Sequence, residues 1–225
     1  MLASTLPPQL PTLVSRLHQR LRQAADDDQT AVAAQQKMMP VPANGKPRAW
    51  PPLRDDHRKA AVLFLLYPAR QPADGLNLVF IQRPDYDGTH GGQISLPGGR
   101  LEGDETLAET ATRETHEEVG VDPAEVLLLG QMEAFYVYAS NHNVHPFVGY
   151  CHQRPEFVPC EQEVAEIIEA PLSTLLDPAN QQQERRDLTR WGTTDVPYFA
   201  VGNHKIWGAT AIMLARFLHL LDDAP

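Results

Sequence analysis

Apolar positions along the chain change their period near residue 53. Before it, Leu10, Leu13, Val14, Leu17 and Leu21 recur at helical spacing, with Arg16, Arg20 and Arg22 between them. That pattern predicts a short amphipathic helix. Asp26, Asp27 and Asp28 end it, and Pro40, Pro42, Pro47, Pro51 and Pro52 predict an extended, turn-rich connection. Beyond it, 60–67 is a continuous apolar run that reads as a buried strand. After a turn at 68–75, 77–82 reads as a second strand, and the Gly- and Pro-rich 83–100 as loop. The pattern then predicts a helix over 106–118, strands over 126–129, 132–138 and 144–150, a further strand over 163–168, and a short helix over 171–176. Residues 198–201 and 205–206 read as a hairpin around Gly202-Asn203, and 208–221 as a last amphipathic helix. Strands mixed with a few helices indicate a layered α/β (α+β) domain.

Charge sharpens the boundary. The 225 residues carry 19 Lys and Arg against 29 Asp and Glu, a formal charge of −10. Residues 1–52 hold six of the basic residues and three of the acidic ones. The expected organisation is therefore an extension over 1–52 and a domain over 53–225, long enough to bury a core of its own. The extension helix is expected to dock on the main domain or on a second subunit, with a homodimer contact as the reading adopted. An acidic chain lacks the basic footprint of a nucleic-acid binder. A small phosphorylated substrate remains compatible, because a bound metal ion inverts the local field. Cys151 and Cys160 read as reduced thiols without a zinc or redox spacing. The longest apolar run is far below the roughly 20 residues that span a bilayer. The first residues have no basic start and are broken by Pro7, Pro8 and Pro11, unlike a signal peptide. These features point to a soluble, cytoplasmic protein with no membrane or nucleic-acid partner.

The segment 98–121, GGRLEGDETLAETATRETHEEVGV, concentrates the chemistry. Thr106 followed by Glu109 is a capping-box pattern, and Gly120 stands where a helix C-cap glycine belongs. Between them Leu107, Ala108, Ala111, Thr115 and Val119 form a small apolar stripe. Glu114, Glu117 and Glu118, spaced i, i+3, i+4, share a neighbouring face. Three carboxylates so placed repel one another. A solvated face tolerates that, whereas a half-buried one needs a counter-charge, and hard divalent cations such as Mg²⁺ or Mn²⁺ suit oxygen ligands. Pro97-Gly98-Gly99 lets backbone approach the same point. Arg113 is placed to hold Glu105 or a neighbouring Glu in a bidentate pair.

Gly99, Glu105, Arg113, Glu114, Glu117, Glu118 and Gly120, at these spacings, match the Nudix box, and the chain resembles Nudix hydrolases. Thr115 departs from the pattern, at a position that is usually aliphatic. The preceding segment keeps Arg83, His90, Gly92, Gln93 and Pro97-Gly98-Gly99, and resembles the coenzyme A pyrophosphatase-like branch. So do 136–150 and 206–211. Gly88 and Leu96 depart from that branch, which often has Arg and Phe there. The resemblance implies the Nudix fold, a mixed β-sheet sandwiched between helices. It also implies a metal-dependent pyrophosphohydrolase for a nucleoside diphosphate linked to a second group, with Mg²⁺ or Mn²⁺ as cofactor. Coenzyme A, cleaved to 3′,5′-ADP and 4′-phosphopantetheine, is the substrate it favours. ADP-ribose, a dinucleoside polyphosphate, or a catalytically silent nucleotide-binding regulator stay open. By position, Glu114, Glu117, Glu118 and the Gly99 carbonyl are the implied metal ligands, Glu114 alternatively accepting the water's proton. Glu105 and Arg113 support them. A further carboxylate from outside the box is expected from Glu163 or Glu166. Arg83, His90, Gly98, Gly99, Tyr138 and Ser140 are the candidate substrate contacts.

Overall fold

The computed structural model describes residues 10–23, 29–43, 51–71, 75–85, 91–188 and 192–221. The apolar run near residue 60 forms the longest strand, β2 (Arg58–Pro68), which runs through the centre of an eight-stranded sheet. On one side it pairs parallel with β8 (His142–Tyr150), from Arg58↔His142 to Leu66↔Tyr150. On the other it meets β5 (Gly98–Arg100) and then β3 (Leu76–Gln82), both antiparallel. Beyond β3 lie β4 (Ile94–Ser95) and β9 (Glu166–Pro171), and beyond β8 lie β6 (Leu127–Gln131) and β7 (Phe135–Val137).

Alternation along β2 sends side chains to two cores. Ala61, Leu63, Leu65 and Tyr67 face the layer of α3 (Leu107–Val119), where Ala111, Val119, Val79, Ile81 and Phe147 join them. Phe64 and Leu66 face the layer of α5 (Gly208–His219), with Leu214, Phe217 and Leu218. A helix on each face of a mixed sheet is the expected α/β sandwich.

A second sheet has β11 (Gly192–Val201) at its centre. β10 (Gln181–Leu188) pairs along one edge of it, and β1 (Val41–Pro42) and β12 (His204–Trp207) pair along the other. The short helix α4 (Leu172–Leu176) follows β9 as expected.

Four expectations are corrected. The stretch 83–100 is not all loop: β4 and β5 are strands whose glycines and short length give no apolar alternation. The predicted strand over 132–138 begins only at Phe135, because Met132 leaves the ladder and its N–H bonds Pro146 O after a bulge at Leu128/Gly130. The strand predicted over 163–168 lies at Glu166–Pro171, since 161–163 form a turn. The helix α2 (Gln29–Lys37) was not expected, its Ala- and Gln-rich sequence lacking a stripe.

The N-terminal helix α1 (Thr12–Gln23) is where the spacing put it, and it packs on its own chain. Val14, Leu17 and Leu21 belong to the core on the α5 side. His18 Nδ1 lies 2.6 Å from Leu129 O, and Arg20 donates to Leu220 O. Gly130 makes room for it, since a Cβ there would lie 2.9 Å from Leu21 Cβ. Among the described residues no helix is long and apolar enough to cross a membrane.

Candidate active site

The acidic helix forms as its caps direct. Thr106 Oγ1 accepts from the Glu109 N–H, and the Thr106 N–H donates to Glu109 Oε2, so both halves of the capping box are made. Gly120 closes the other end at φ 78°. The stripe faces the sheet. Thr115 is fully buried and donates to Ala111 O at 2.7 Å, so its hydroxyl is satisfied within the helix.

The neighbouring face meets β5. Gly98 N–H donates to Glu118 Oε2 at 2.8 Å, and a Cβ on Gly99 would lie 2.3–2.5 Å from the Glu114 carboxylate. Gly98, at φ 151°, would place a Cβ 2.3 Å from Ala61 O. Both glycines are therefore required by close approach, one to the carboxylates and one to β2.

Arg113 organises the carboxylates on its side. Its Nε and Nη2 each donate to Glu105 at 2.9 Å, Nη1 to Glu117 at 2.7 Å, and Nη2 also to Glu114 at 3.0 Å and to Arg100 O. The bidentate pair expected from the sequence is thus with Glu105. Arg113, the Glu102 N–H and Thr110 Oγ1 all favour the Glu105 carboxylate, whose pKa falls to about 2.

Glu118 is the opposite case. Its side chain is 1% exposed, and the nearest cation recorded is Arg83 Nη2 at 3.8 Å. Burial pushes its pKa up to about 7 against the pull of the Gly98 N–H and Arg83, with Glu114 and Glu163 adding repulsion. Burial likewise raises Glu114 despite Arg113, and Glu117 and Glu163 raise it further. Glu117, at 53% exposure, stands at the rim.

The structure thus brings together Arg83, Gly98, Gly99, Glu105, Arg113, Glu114, Glu117 and Glu118. It separates the two candidates from outside the box. Glu163 lies where its charge reaches Glu114 and Glu118, whereas Glu166 Oε1 lies 3.3 Å from His204 Nε2. Tyr138 and Ser140 lie on the β7–β8 turn. That turn is tied to the start of β2, Asn141 Nδ2 donating to Asp56 O and the Arg58 N–H to Asn141 O. His90 and Gly88 lie outside the described residues. Sequence reasoning missed the roles of Thr110 and of the Arg100 carbonyl. No motif marks a hydroxyl or a main-chain oxygen that fills the remaining bonds of a Glu–Arg pair.

Among the described residues no three His, Cys, Asp or Glu side chains already converge as a metal cluster, because Arg113 draws Glu114 and Glu117 toward itself. The donor set nevertheless suits a hard divalent cation. A buried carboxylate with one N–H and a distant guanidinium is short of positive charge, and two more carboxylates stand one helical turn or less away.

Comparison with known proteins agrees with this geometry. A NUDIX domain profile covers residues 56–192. The chain is 34% identical over 186 residues to "Nudix hydrolase 22, chloroplastic" of Arabidopsis thaliana, covering 77% of this chain and 59% of that protein. It is 31% identical over 186 residues to "Uncharacterized Nudix hydrolase NudL" of Pectobacterium atrosepticum, covering 78% and 90%. It therefore spans about three fifths of the plant relative's length and most of the bacterial one. Its backbone superposes on a MutT/nudix family protein from Enterococcus faecalis with a TM-score of 0.53 at 15% identity, over 94% of this chain and 74% of that one, a likeness of fold. With the box folded as a capped helix against its glycine turn and the profile spanning most of the domain, the chain belongs to the Nudix hydrolase family.

Proposed function

We propose that the protein is a divalent-metal-dependent pyrophosphohydrolase acting on a nucleoside diphosphate linked to a second group, with coenzyme A or a derivative as substrate. The observation that carries the reading is Glu118, a buried carboxylate whose nearest cation among the described residues, Arg83 Nη2, stands 3.8 Å away, on the same helix edge as Glu114 and Glu117. Arg83, Gln93 and Pro97-Gly98-Gly99 support the coenzyme A branch, as do the segments 136–150 and 206–211. The products are then 3′,5′-ADP and 4′-phosphopantetheine.

Glu118, Glu114, Glu117 and the Gly99 carbonyl would hold Mg²⁺ or Mn²⁺, which when bound polarises phosphoryl oxygens and lowers the pKa of water. The chain's own groups prepare the site. The Gly98 N–H fixes Glu118 Oε2 and leaves Oε1 on the side of Arg83. Arg113, held by an ionised Glu105, fixes the tilt of Glu114 and Glu117. Alternatively to holding metal, Glu114 is the group that accepts the proton of the attacking water. Arg83, at the mouth, offers a guanidinium to a phosphate oxygen.

Turnover of coenzyme A, ADP-ribose and diadenosine polyphosphates, measured side by side with Mg²⁺ and Mn²⁺ and with Glu117→Gln as control, tests this. Metal-dependent cleavage of coenzyme A that the substitution removes is expected. Preference for another of these substrates keeps the site and overturns the branch. Binding without turnover of any of them overturns the enzymatic reading.

A further inference from the structure

The two arginines at the acidic helix are held in different ways. Arg113 donates five hydrogen bonds, to Glu105, Glu114, Glu117 and Arg100 O. Arg83 has one partner among the described residues, Glu118, and its Nη2 stands 3.8 Å from Glu118 Oε1. That separation is an ion pair without a hydrogen bond. The carboxylate is 1% exposed and the guanidinium 30% exposed, so the pair runs from the buried floor of the site to its open side. The other oxygen, Oε2, is fixed by the Gly98 N–H at 2.8 Å. Oε1 is therefore the atom whose partner can change.

The main chain of Arg83 is anchored. β3 and β4 pair as far as Gln82↔Ile94, the Arg83 N–H donates to Gln93 O at 3.0 Å, and the Gly92 N–H donates to Pro84 O at 3.1 Å. Movement of the guanidinium is thus a change of side-chain rotamer that leaves the hairpin as it is.

We propose that Arg83 is an exchangeable counter-ion of Glu118: it faces Oε1 while the site is free of metal, yields that place to a divalent cation, and is thereby released to a phosphate oxygen of the substrate. A guanidinium and a divalent cation at one carboxylate oxygen repel each other, and the low dielectric around a buried carboxylate strengthens that repulsion. Arg83 therefore opposes metal binding in the free protein and favours phosphate binding in the metal-loaded one. Because coupling between two ligands is reciprocal, one rotatable side chain sets an order of binding, metal before phosphate. The exchange presupposes that the acidic helix holds metal.

The test is titration of Mn²⁺ into the full chain without nucleotide, at low ionic strength, with free Mn²⁺ read by electron paramagnetic resonance. Arg83→Gln should bind Mn²⁺ about fivefold more tightly than the wild type. Arg100→Gln, which removes an exposed cation next to Gly99 and leaves its carbonyl in place, should stay within about twofold of the wild type. With Mn²⁺ saturating, methylene diphosphonate, a pyrophosphate analogue that is not hydrolysed, should bind Arg83→Gln about tenfold more weakly than the wild type in calorimetry. Opposite signs for metal and phosphate are the signature of exchange, since a merely structural loss weakens both. Equal or weaker Mn²⁺ affinity in Arg83→Gln, the same gain in Arg100→Gln, or unchanged diphosphonate affinity would each overturn the exchange while leaving the metal site standing. No Mn²⁺ binding by the wild type or either variant would overturn the metal site and the exchange together.

Discussion

Two helices cover the two faces of the central sheet, and they are built to different ends. In α5, nine consecutive residues from Thr210 to Leu218 are buried, and Phe217 stacks on Phe64 with ring centroids 4.7 Å apart. In α3 the buried set is Thr110, Ala111, Thr115, Glu118 and Val119, three of them polar or charged. One helix is packed as core, whereas the other keeps a thin apolar stripe and spends the rest of its surface on carboxylates. The difference shows that helices in equivalent layers need not share the work of stability. A helix covered on nearly all sides lets its counterpart carry a buried charge that by itself opposes folding.

Substitutions on the two helices should therefore fail in different ways. The largest effect is expected for Glu118→Gln, which should lower kcat/KM by roughly 10³-fold or more while leaving the fold intact, since about that much rides on a principal charge at such a site. Steady-state kinetics beside a thermal melt reads it. Phe217→Ala should do the converse, costing about 3–5 kcal/mol in denaturant unfolding, with turnover per folded molecule unchanged.

Acidity sharpens the contrast. The pKa of Glu118 is raised from 4.5 to about 7, so the folded chain holds a proton there that the unfolded chain has released. Stability from this group is full below pH 4.5 and is lost as the pH rises through 7, by up to about 3 kcal/mol. In chelator, wild type should lose stability across that window, Glu118→Gln should lose less, the remainder coming from Glu114, and a divalent cation should restore the loss more fully in wild type. Melts across pH settle it, and an identical slope in both proteins would contradict the burial argument. Next in size, Arg113→Lys keeps the charge but not the fork that grips Glu105, and should lower activity about 10–100-fold. The smallest effect is expected for Thr106→Ala, about 1 kcal/mol of stability from the lost cap.

Much of α3 was legible because local chemistry and spacing agree. Thr106, Glu109 and Gly120 mark its ends, and the i, i+3, i+4 glutamates share an edge without reference to the rest of the fold. The run 60–67 likewise announced β2, since a short apolar run bounded by turn signals suits a strand covered on both faces. Legibility stopped where pairing partners, and not the segment's own residues, make the strand. In β5 two of three residues are glycines, chosen for closeness to Glu114 and Ala61, and they leave no hydrophobic trace. In β10 (QQQERRDL) the side chains are mostly exposed, and its register comes from β11. At the site, Glu163 and Glu166 look alike in sequence, and only the fold sets one near the box and the other against His204. The extension is a similar case: its helix was visible in the spacing of Leu13, Val14, Leu17 and Leu21, but not that Gly130 leaves the gap it fills.

The parallel pairing of β2 with β8 also sets an order of events in folding. The two strands are about eighty residues apart in the chain, and β3, β4, β5, α3, β6 and β7 all lie between them. Bringing them together closes a long loop before its contacts repay the lost entropy, a slow step for topologies of this kind. The acidic helix lies inside that loop. Its turns can form early from their own caps, but the buried setting of Glu118 comes into being only once the loop has closed. A refolding chain should therefore regain helical signal first and its capacity to bind divalent ions last.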